Sequence, residues 1–318
     1  MHLATNDEEK MKVLITSDWH IKGERPICRL DDDWIASQRK TISEIRDAFS
    51  KYGCNQMWII GDLFDAPRCS TEAVNMLVEE LLKFPEGSVK VLCGNHDLKD
   101  HNYDNLNVCS IGTIKQIFGD IPTEIYRAHC RLAVSAMPFG MDDYNSTASI
   151  VCTHQLTFPD DKTRGIFGGA TAEELLAKWP QTKFIFTGDY HHGFIYKETE
   201  TTPFMVQATG RYVITPGCIN IQKADELDYE PMVVVLDFDE FGIQPVYLDP
   251  QRENCTRDHI EAREHKEEEF ERVVETIKGN VDISLDFDSN LEAQVQKTDS
   301  AIIGEYNIMR QTINREGK

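Results

Sequence analysis

The sequence predicts an α/β protein in which two sheets pack as a sandwich flanked by helices, followed by a small C-terminal α/β module. Two observations predict this class. Short β-rich runs alternate with helical patterns up to about residue 249, as in layered α/β folds. A charged helical pattern and then an alternating apolar and polar run follow it. We expect an N-terminal extension over residues 1–11, a main domain over 12–249 and a C-terminal module over 250–318, with Met1 or Met11 as the start.

The elements of the main domain follow from periodicity and from turn residues. Runs rich in β-branched and aromatic residues predict strands at residues 12–17, 56–60, 88–92, 132–136, 150–153 and 183–187. Apolar residues at helical spacing predict helices at residues 33–52, 71–84, 111–118 and 172–179. The stretch that lacks helical periodicity predicts strands at 194–197, 204–208, 212–215, 232–238 and 246–248. In the C-terminal module we expect a helix at 259–278 and a half-buried strand at 281–287.

The composition is that of a soluble globular protein, with 41% hydrophobic and 27% charged residues over 318 positions. No apolar run is long enough to cross a bilayer, and the polar N-terminus lacks the apolar segment of a secretory signal. We therefore expect a cytoplasmic protein without membrane contact. The nine cysteines contain no C-x-x-C pair, which argues against a zinc finger or a disulfide framework.

The net charge argues against nucleic acid as a partner. The chain carries 33 basic and 54 acidic residues, for a formal charge of −21. The acidic excess is spread along the chain and is not confined to one tail. Such a surface repels a polyanion unless a local site overrides the repulsion. A nucleic-acid substrate therefore requires a local source of positive charge.

Chemistry-bearing residues recur directly after the predicted strands. The first three strands run into Asp18 and His20, into Asp62 and Asp65, and into the Asn95–Asp97 group that includes His96. Two later strands end at His154 and at the Asp189-Tyr190-His191-His192 group. Each cluster taken alone is common in turns. All five directly follow an apolar strand, however, which favours a shared site. In an α/β layer such strand ends converge on one crevice, and Asp, His and Asn bind divalent cations there.

These clusters resemble the signature of the calcineurin-like metallophosphoesterase superfamily over residues 12–248. The elements D-x-H, G-D-x-x-D, G-N-H-D and a lone histidine stand intact and in order. The resemblance implies a four-layer α/β/β/α metallophosphoesterase sandwich with a small C-terminal α/β cap. It also implies a dinuclear site, with one metal on Asp18, His20 and His191, the second on Asn95 and His154, and Asp62 between them. His96, oriented by Asp65, is the expected catalytic acid for the leaving alkoxide.

One position departs from the family pattern. The usual G-H-x-H reads Gly188-Asp189-Tyr190-His191, so Asp189 replaces a histidine ligand of the second metal. Ligation by a carboxylate favours a hard ion, so we expect two divalent ions, with Mn²⁺ first and Mg²⁺ as the alternative to it. In the other interpretation the second site is weakened and His192 partly compensates.

Within the superfamily the chain resembles SbcD-type DNA repair and recombination nuclease subunits, including those of large bacteriophages. Residues 17–21, 31–34, 216–226 and 230–237 carry this resemblance. It implies a Mn²⁺-dependent DNA exonuclease and endonuclease, in the host cytoplasm if the chain is phage-encoded. The implied partners are DNA, an SbcC-type coiled-coil ATPase and a second copy of the chain. A docking face for the ATPase would comprise Ile302, Ile303, Tyr306, Met309 and Ile313.

Two other functions stay open. The site could act on a small phosphoester such as a cyclic nucleotide. Alternatively, the protein could be a non-catalytic binding protein on a degenerate metal site, which the departure at Asp189 motivates.

Overall fold

The computed structural model describes residues 11–127, 130–141, 147–198 and 210–280, together with Gly304. The chain forms two compact units, of which the first ends at Cys255 and the second begins at Thr256. This division lies a few residues beyond the predicted boundary at 249/250. The predicted N-terminal extension before Met11, the strands at 204–208 and 281–287 and the proposed docking face lie outside the described residues.

The first unit contains thirteen strands and five α-helices within the described residues. The strands are β1 (Lys12–Thr16), β2 (Gln56–Ile60), β3 (Val89–Leu92), β4 (Glu124–Arg127), β5 (Cys130–Met137), β6 (Ile150–Thr153), β7 (Thr157–Phe158), β8 (Ala170–Thr171), β9 (Phe184–Thr187), β10 (Phe194–Lys197), β11 (Tyr212–Thr215), β12 (Met232–Asp237) and β13 (Gly242–Tyr247). The helices are α1 (Trp34–Lys51), α2 (Thr71–Leu81), α3 (Ser110–Phe118), α4 (Asp161–Arg164) and α5 (Ala172–Lys178). Short 3₁₀ turns cover Lys99–His101, Tyr103–Val108, Ala224–Glu226 and Arg252–Asn254.

The strands form two large sheets and one small pair. The first sheet has the order β13-β12-β1-β2-β3, and the second has the order β10-β11-β9-β6-β5-β4. Strands β1, β2 and β3 are parallel, and so are β5, β6, β9 and β11. Because parallel neighbours end on the same side, each sheet presents several carboxyl ends along one edge.

Side chains that alternate along β1 pack against different layers of the sandwich. Leu14 belongs to a core cluster with residues of α1, α2 and α3, whereas Val13 and Ile15 belong to a cluster with strands of the second sheet. The other face of the second sheet packs on α5, where Val151 and Leu175 share a third cluster. Successive strand residues face opposite sides, so both faces of each sheet are covered. The predicted four-layer α/β/β/α sandwich is therefore confirmed.

Side-chain caps explain where the longer helices begin. Asp33 accepts a hydrogen bond from the backbone N–H of Ala36 (2.9 Å) at the start of α1. Ser70 accepts one from the N–H of Ala73 (3.2 Å) at the start of α2. Each cap satisfies a backbone donor that the first turn leaves unpaired. The two helices thus start one residue after a polar side chain.

Some elements differ from the prediction. Strand β13 starts at Gly242, earlier than the expected 246, because Pro245 interrupts the pattern. Pro245 is tolerated since β13 is the edge strand of its sheet. The sequence pattern also missed β4, which is an edge strand, and the two-residue strands β7 and β8. An element of two residues is too short to show any periodicity, and a four-residue edge strand shows little.

The second unit is described from Thr256 to residue 280 and at Gly304. It contains α6 (Asp258–Asn280), at the place where a charged helix is predicted. Ion pairs at i,i+4 spacing support this helix, such as Arg263 with Glu267 (3.4 Å). None of the described helices is both long enough and apolar enough to span a membrane.

Candidate metal centre

The predicted ligands lie in the turns that follow five parallel strands. Asp18 follows β1, Asp62 follows β2, Asn95 follows β3, His154 follows β6 and Asp189 follows β9. The backbone turns sharply there, since Asp18, Asp62 and Asp189 have φ values of 51°, 49° and 74°. This left-handed conformation costs free energy in residues other than glycine, and such backbone strain is concentrated at functional sites.

Backbone hydrogen bonds hold the turns after β1 and β2 side by side. The N–H of Asp18 donates to the carbonyl of Gly61 (3.1 Å), and the N–H of His20 donates to that of Asp62 (3.0 Å). Gly94, in the turn after β3, lies so close to Asp62 that a Cβ at this position would overlap the Asp62 carboxylate. Glycine is therefore required there by close approach of two chain segments.

A buried carboxylate ties the second turn to the third. Asp97 accepts hydrogen bonds from the N–H groups of Phe64 (2.8 Å) and Gly94 (2.9 Å). Burial, and then the nearby charge of Asp62, raise the pKa of Asp97 to about 7. Asp97 thus supports the ligand turns from beneath, a role that the sequence pattern did not assign to it.

The first ligand group consists of Asp18, His20 and His191, whose donor atoms lie within 4.8 Å of one another. The Nε2 atoms of His20 and His191 are 3.0 Å apart. Oδ1 of Asp18 accepts the backbone N–H of Asp189 (3.0 Å), whereas its buried Oδ2 has no hydrogen-bond partner. A buried carboxylate oxygen without a partner beside two imidazole nitrogens fits a divalent cation.

The second group consists of Asp18, Asp62 and His154, again with donor atoms within 4.8 Å. Oδ2 of Asp62 lies 3.2 Å from Nε2 of His154 and 3.8 Å from Nε2 of His20, and this buried oxygen also has no hydrogen-bond partner. Oδ1 of Asn95 lies 3.0 Å from the same nitrogen of His154. Asp18 thus belongs to both groups, and Asp62 of the second group reaches toward His20 of the first.

The electrostatics of Asp62 and His154 favour positive charge between them. Burial alone would raise the pKa of Asp62, but His154 outweighs it and holds that pKa below its ordinary value. Burial would likewise lower the pKa of His154, but Asp62 raises it to about 10. The buried carboxylates thus stabilise positive charge beside them, which a divalent cation can supply in place of the proton on His154.

Glu226 holds His191 from behind and was not predicted from the sequence. Its Oε1 lies 2.5 Å from Nδ1 of His191, and its Oε2 accepts the N–H groups of Gln222 (2.8 Å) and Lys223 (3.0 Å). Glu226 is only 2% exposed. With Nδ1–H donated to the carboxylate, Nε2 of His191 keeps its lone pair for a metal. Glu226 lies in the segment 216–226, outside the signature motifs, so no sequence pattern pointed to its contact with His191.

His96 is exposed beside the ligand groups. Its Nδ1 lies 3.0 Å from the carbonyl oxygen of Asp65, and its backbone N–H donates to Oδ1 of Asp62 (2.9 Å). Asp65 was expected to orient His96; the contact in the structure is made by the Asp65 carbonyl. The Asp65 carboxylate instead lies 3.2 Å from Nζ of Lys22 and 3.6 Å from Nδ1 of His20.

Asp189 lies at the rim of the site. Its backbone contacts Asp18, and its charge helps to raise the pKa of His154. Among the described residues, its carboxylate is outside the groups whose donor atoms lie within 4.8 Å. The ring of His192 stacks on that of Tyr229 with 5.4 Å between centroids. The carboxylate at 189 therefore stands beside the second group, and His192 has an aromatic partner of its own.

Paired clusters of Asp, His and Asn at the strand ends of a four-layer sandwich are the arrangement of a metal-dependent phosphoester hydrolase. The family model of the calcineurin-like phosphoesterases matches residues 11–192, so the chain belongs to this family. Members use divalent metals, and the groups described above are the candidate ligands.

Two solved structures are similar to this chain at low sequence identity. One is an archaeal phosphodiesterase, with 14% identity and a TM-score of 0.37, and the other is YfcE, a phosphoesterase from E. coli, with 15% identity and a TM-score of 0.36. Each alignment covers 75% of this chain and 100% of the other. No curated protein matches the sequence.

Proposed function

We propose that the chain is a Mn²⁺-dependent DNA exonuclease and endonuclease that acts in DNA repair, recombination or replication. One observation carries the proposal beyond phosphoester hydrolysis. Residues 216–226 are a segment by which the chain resembles SbcD-type nucleases, and this same segment supplies Glu226 to His191 and lines the site with Gln222 and Lys223. The segment specific to the nuclease resemblance is thus part of the site itself.

The two ligand groups would each hold one divalent cation; Asp18 is common to both groups, and the family resemblance implies Asp62 as the carboxylate between the cations. Bound there, the cations supply Lewis-acid activation of water and neutralise charge on the phosphoryl oxygens. The oxygen donors of Asp18, Asp62 and Asn95 support Mn²⁺ or Mg²⁺, and the three imidazoles beside them are compatible with Mn²⁺. The carbonyl of Ile60 lies 2.8 Å from Nδ1 of His154, and Glu226 holds Nδ1 of His191, so both imidazoles keep Nε2 for a cation.

His96 suits a phosphodiester whose leaving group is an alkoxide. An alkoxide is a strong base and leaves far more easily when it receives a proton as the bond to phosphorus breaks. His96 is exposed to substrate, and the Asp65 carbonyl fixes its Nδ1, which leaves Nε2 to deliver the proton.

The proposed partners follow from the nuclease resemblance. An SbcC-type coiled-coil ATPase would bind the C-terminal module, and a second copy of the chain would form a homodimer. A basic partner would also offset the charge of −21 that disfavours long contacts with DNA.

Digestion of linear DNA by the purified protein with Mn²⁺, Mg²⁺ or Zn²⁺ tests this function. We expect cleavage with Mn²⁺, and we expect His96→Ala to lower its rate by roughly 10²- to 10⁴-fold. Mn²⁺ binding measured by calorimetry should survive in this variant. His265→Ala, at an exposed histidine of α6, is the matched control and should cleave normally.

Other outcomes assign a different function. Intact DNA with turnover of bis-p-nitrophenyl phosphate or of a cyclic nucleotide would indicate an enzyme on small phosphoesters. Fewer than two bound Mn²⁺ per chain, with no esterase activity, would indicate a binding protein.

A further inference from the structure

A pocket beside the two ligand groups contains two lysines that the metal centre does not use. Its wall includes three histidines of the site, the two lysines Lys22 and Lys223, and the carboxylates of Asp65 and Glu226. Glu226 is already bound by His191 and by two backbone N–H groups. The chain as a whole is strongly acidic, so two ammonium groups at the mouth of a cation site are unexpected. They indicate an anionic ligand that reaches beyond the metals.

The backbone at Lys22 is held firmly. Its N–H donates to Oε1 of Gln38 (3.1 Å), and its carbonyl accepts from Nε2 of the same side chain (2.9 Å). Gln38 is fully buried, so this anchor belongs to the core of the first unit. The Lys22 ammonium lies 3.2 Å from the Asp65 carboxylate, which is 37% exposed. An ion pair with so exposed a partner is weak, and a phosphate can replace it at little cost.

Lys223 stands on the neighbouring wall of the same pocket. Its backbone N–H donates to the buried carboxylate of Glu226 (3.0 Å), while its side chain is exposed. Nε2 of Gln222 donates to the carbonyl of His20 (3.1 Å), which fastens the Lys223 segment to the segment that carries Lys22. Both lysines therefore project from rigid backbone that is tied together across the pocket.

We propose that Lys22 and Lys223 bind a second, non-reacting phosphate of the substrate strand, next to the phosphate at the metal centre. This proposal rests on the nuclease function proposed above, because a polynucleotide carries phosphates at regular intervals and a small monoester carries one. Two flexible ammonium groups suit such a contact, since each acts as a point charge toward phosphate oxygens. The pair selects for polymers and bisphosphates over single phosphoesters.

Calorimetric binding of thymidine 3′,5′-bisphosphate and of thymidine 5′-monophosphate with Mn²⁺ tests the proposal. A His96→Ala background slows turnover of either ligand to the same extent in every protein compared. We expect the bisphosphate to bind more tightly than the monophosphate. Lys22→Ala or Lys223→Ala should raise the Kd of the bisphosphate roughly tenfold and that of the monophosphate less than about twofold.

Two further variants complete the experiment. Lys223→Arg keeps the positive charge and should preserve most of the preference for the bisphosphate. Lys51→Ala removes an exposed lysine at the end of α1, where it contacts Tyr52, and should change neither Kd.

Three results would overturn the proposal. The protein that keeps both lysines could bind the two ligands with equal affinity. The lysine variants could leave both Kd values unchanged, or they could raise both by the same factor. An equal loss would mean that the lysines act only through the general field of the site. Because no DNA is cleaved in this assay, its outcome is separate from that of the nuclease test. A selective loss in a protein that leaves DNA intact would retain the second phosphate site and reject the nuclease function alone.

Discussion

At the scale of single residues, the site depends on side chains that orient its ligands. His191 offers Nε2 toward His20 only while its other nitrogen is held by Glu226. Glu226 is in turn fixed by two backbone N–H groups, so it cannot follow the imidazole if that ring rotates. A carboxylate with three contacts thus determines both the tautomer and the angle of one ligand.

Glu226→Gln should therefore weaken the first metal site. The amide places a neutral group against Nδ1 of His191 and keeps the volume nearly unchanged, so the fold should persist. We expect a loss of roughly 10- to 100-fold in Mn²⁺ affinity for one of the two ions, measured by calorimetry. Glu230→Gln, at an exposed position a few residues further on, should bind as the unsubstituted protein does. Equal affinities for all three proteins would mean that Glu226 serves only to fold its segment.

At the scale of elements, a buried carboxylate joins α1 to α2. Glu80 of α2 receives Arg39 (2.7 Å) and Arg46 (3.0 Å) from α1, and Lys83 (2.7 Å) from the turn after α2. Its side chain is only 4% exposed, whereas that of the neighbouring Glu79 is 59% exposed. Burial alone would raise the pKa of Glu80, but the three cations outweigh it and hold that pKa below its ordinary value of 4.5.

Glu80→Gln should lower the free energy of unfolding by about 2 kcal/mol at pH 7, because it leaves three cations without their shared partner. Glu79→Gln, its exposed neighbour, should cost at most about 0.5 kcal/mol. Urea unfolding followed by circular dichroism measures both variants. Similar costs for the two would show that burial of the carboxylate is unimportant.

The pH dependence of the Glu80 contribution has a definite sign. Since the pKa is lower in the folded state, the stabilisation is complete above the ordinary value of 4.5. It is lost as the pH falls through the folded pKa, where both states hold the proton. The stability difference between the unsubstituted protein and Glu80→Gln should therefore shrink below pH 4.5. A difference that stays constant in acid would contradict the lowered pKa.

At the scale of the whole molecule, the charge of −21 opposes binding to a polyanion. The two lysines of the pocket, and the divalent cations that the ligand groups would hold, are local exceptions to this field. For the DNA substrate proposed above, this charge distribution favours contacts at the ligand groups and the neighbouring lysines over contacts along a broad surface.

Under the nuclease function proposed above, the affinity of the chain for DNA should depend strongly on metal. With EDTA we expect no binding of a labelled oligonucleotide at micromolar protein, and with Mn²⁺ at matched ionic strength a gain of roughly tenfold or more. Fluorescence anisotropy of the His96→Ala protein, in which cleavage is slow, measures this binding. The salt dependence should be shallow, with a slope near −1 to −2, as expected for about two phosphate contacts. Equal binding with EDTA and with Mn²⁺ would contradict this picture.

The sequence alone predicted most of the sandwich, because buried strands such as β1 and β2 leave continuous apolar runs between turn residues. It missed β4 and the start of β13, since an edge strand tolerates Pro245 and exposed side chains. The proposed ligands could also be named from the sequence, because each follows its strand within a few residues and its role depends on local chain direction.

Only the tertiary structure revealed the residues that support and extend those ligands. Glu226 contacts His191 across 35 residues of sequence, and Gln222 reaches the carbonyl of His20 across 202. Periodicity reports which face of an element is buried, but not which distant turns meet once the two sheets have packed. The sequence by itself thus determined the family and the candidate ligands. The folded chain decided their orientation and the position of the two lysines beside them, because these depend on the order of the strands in each sheet.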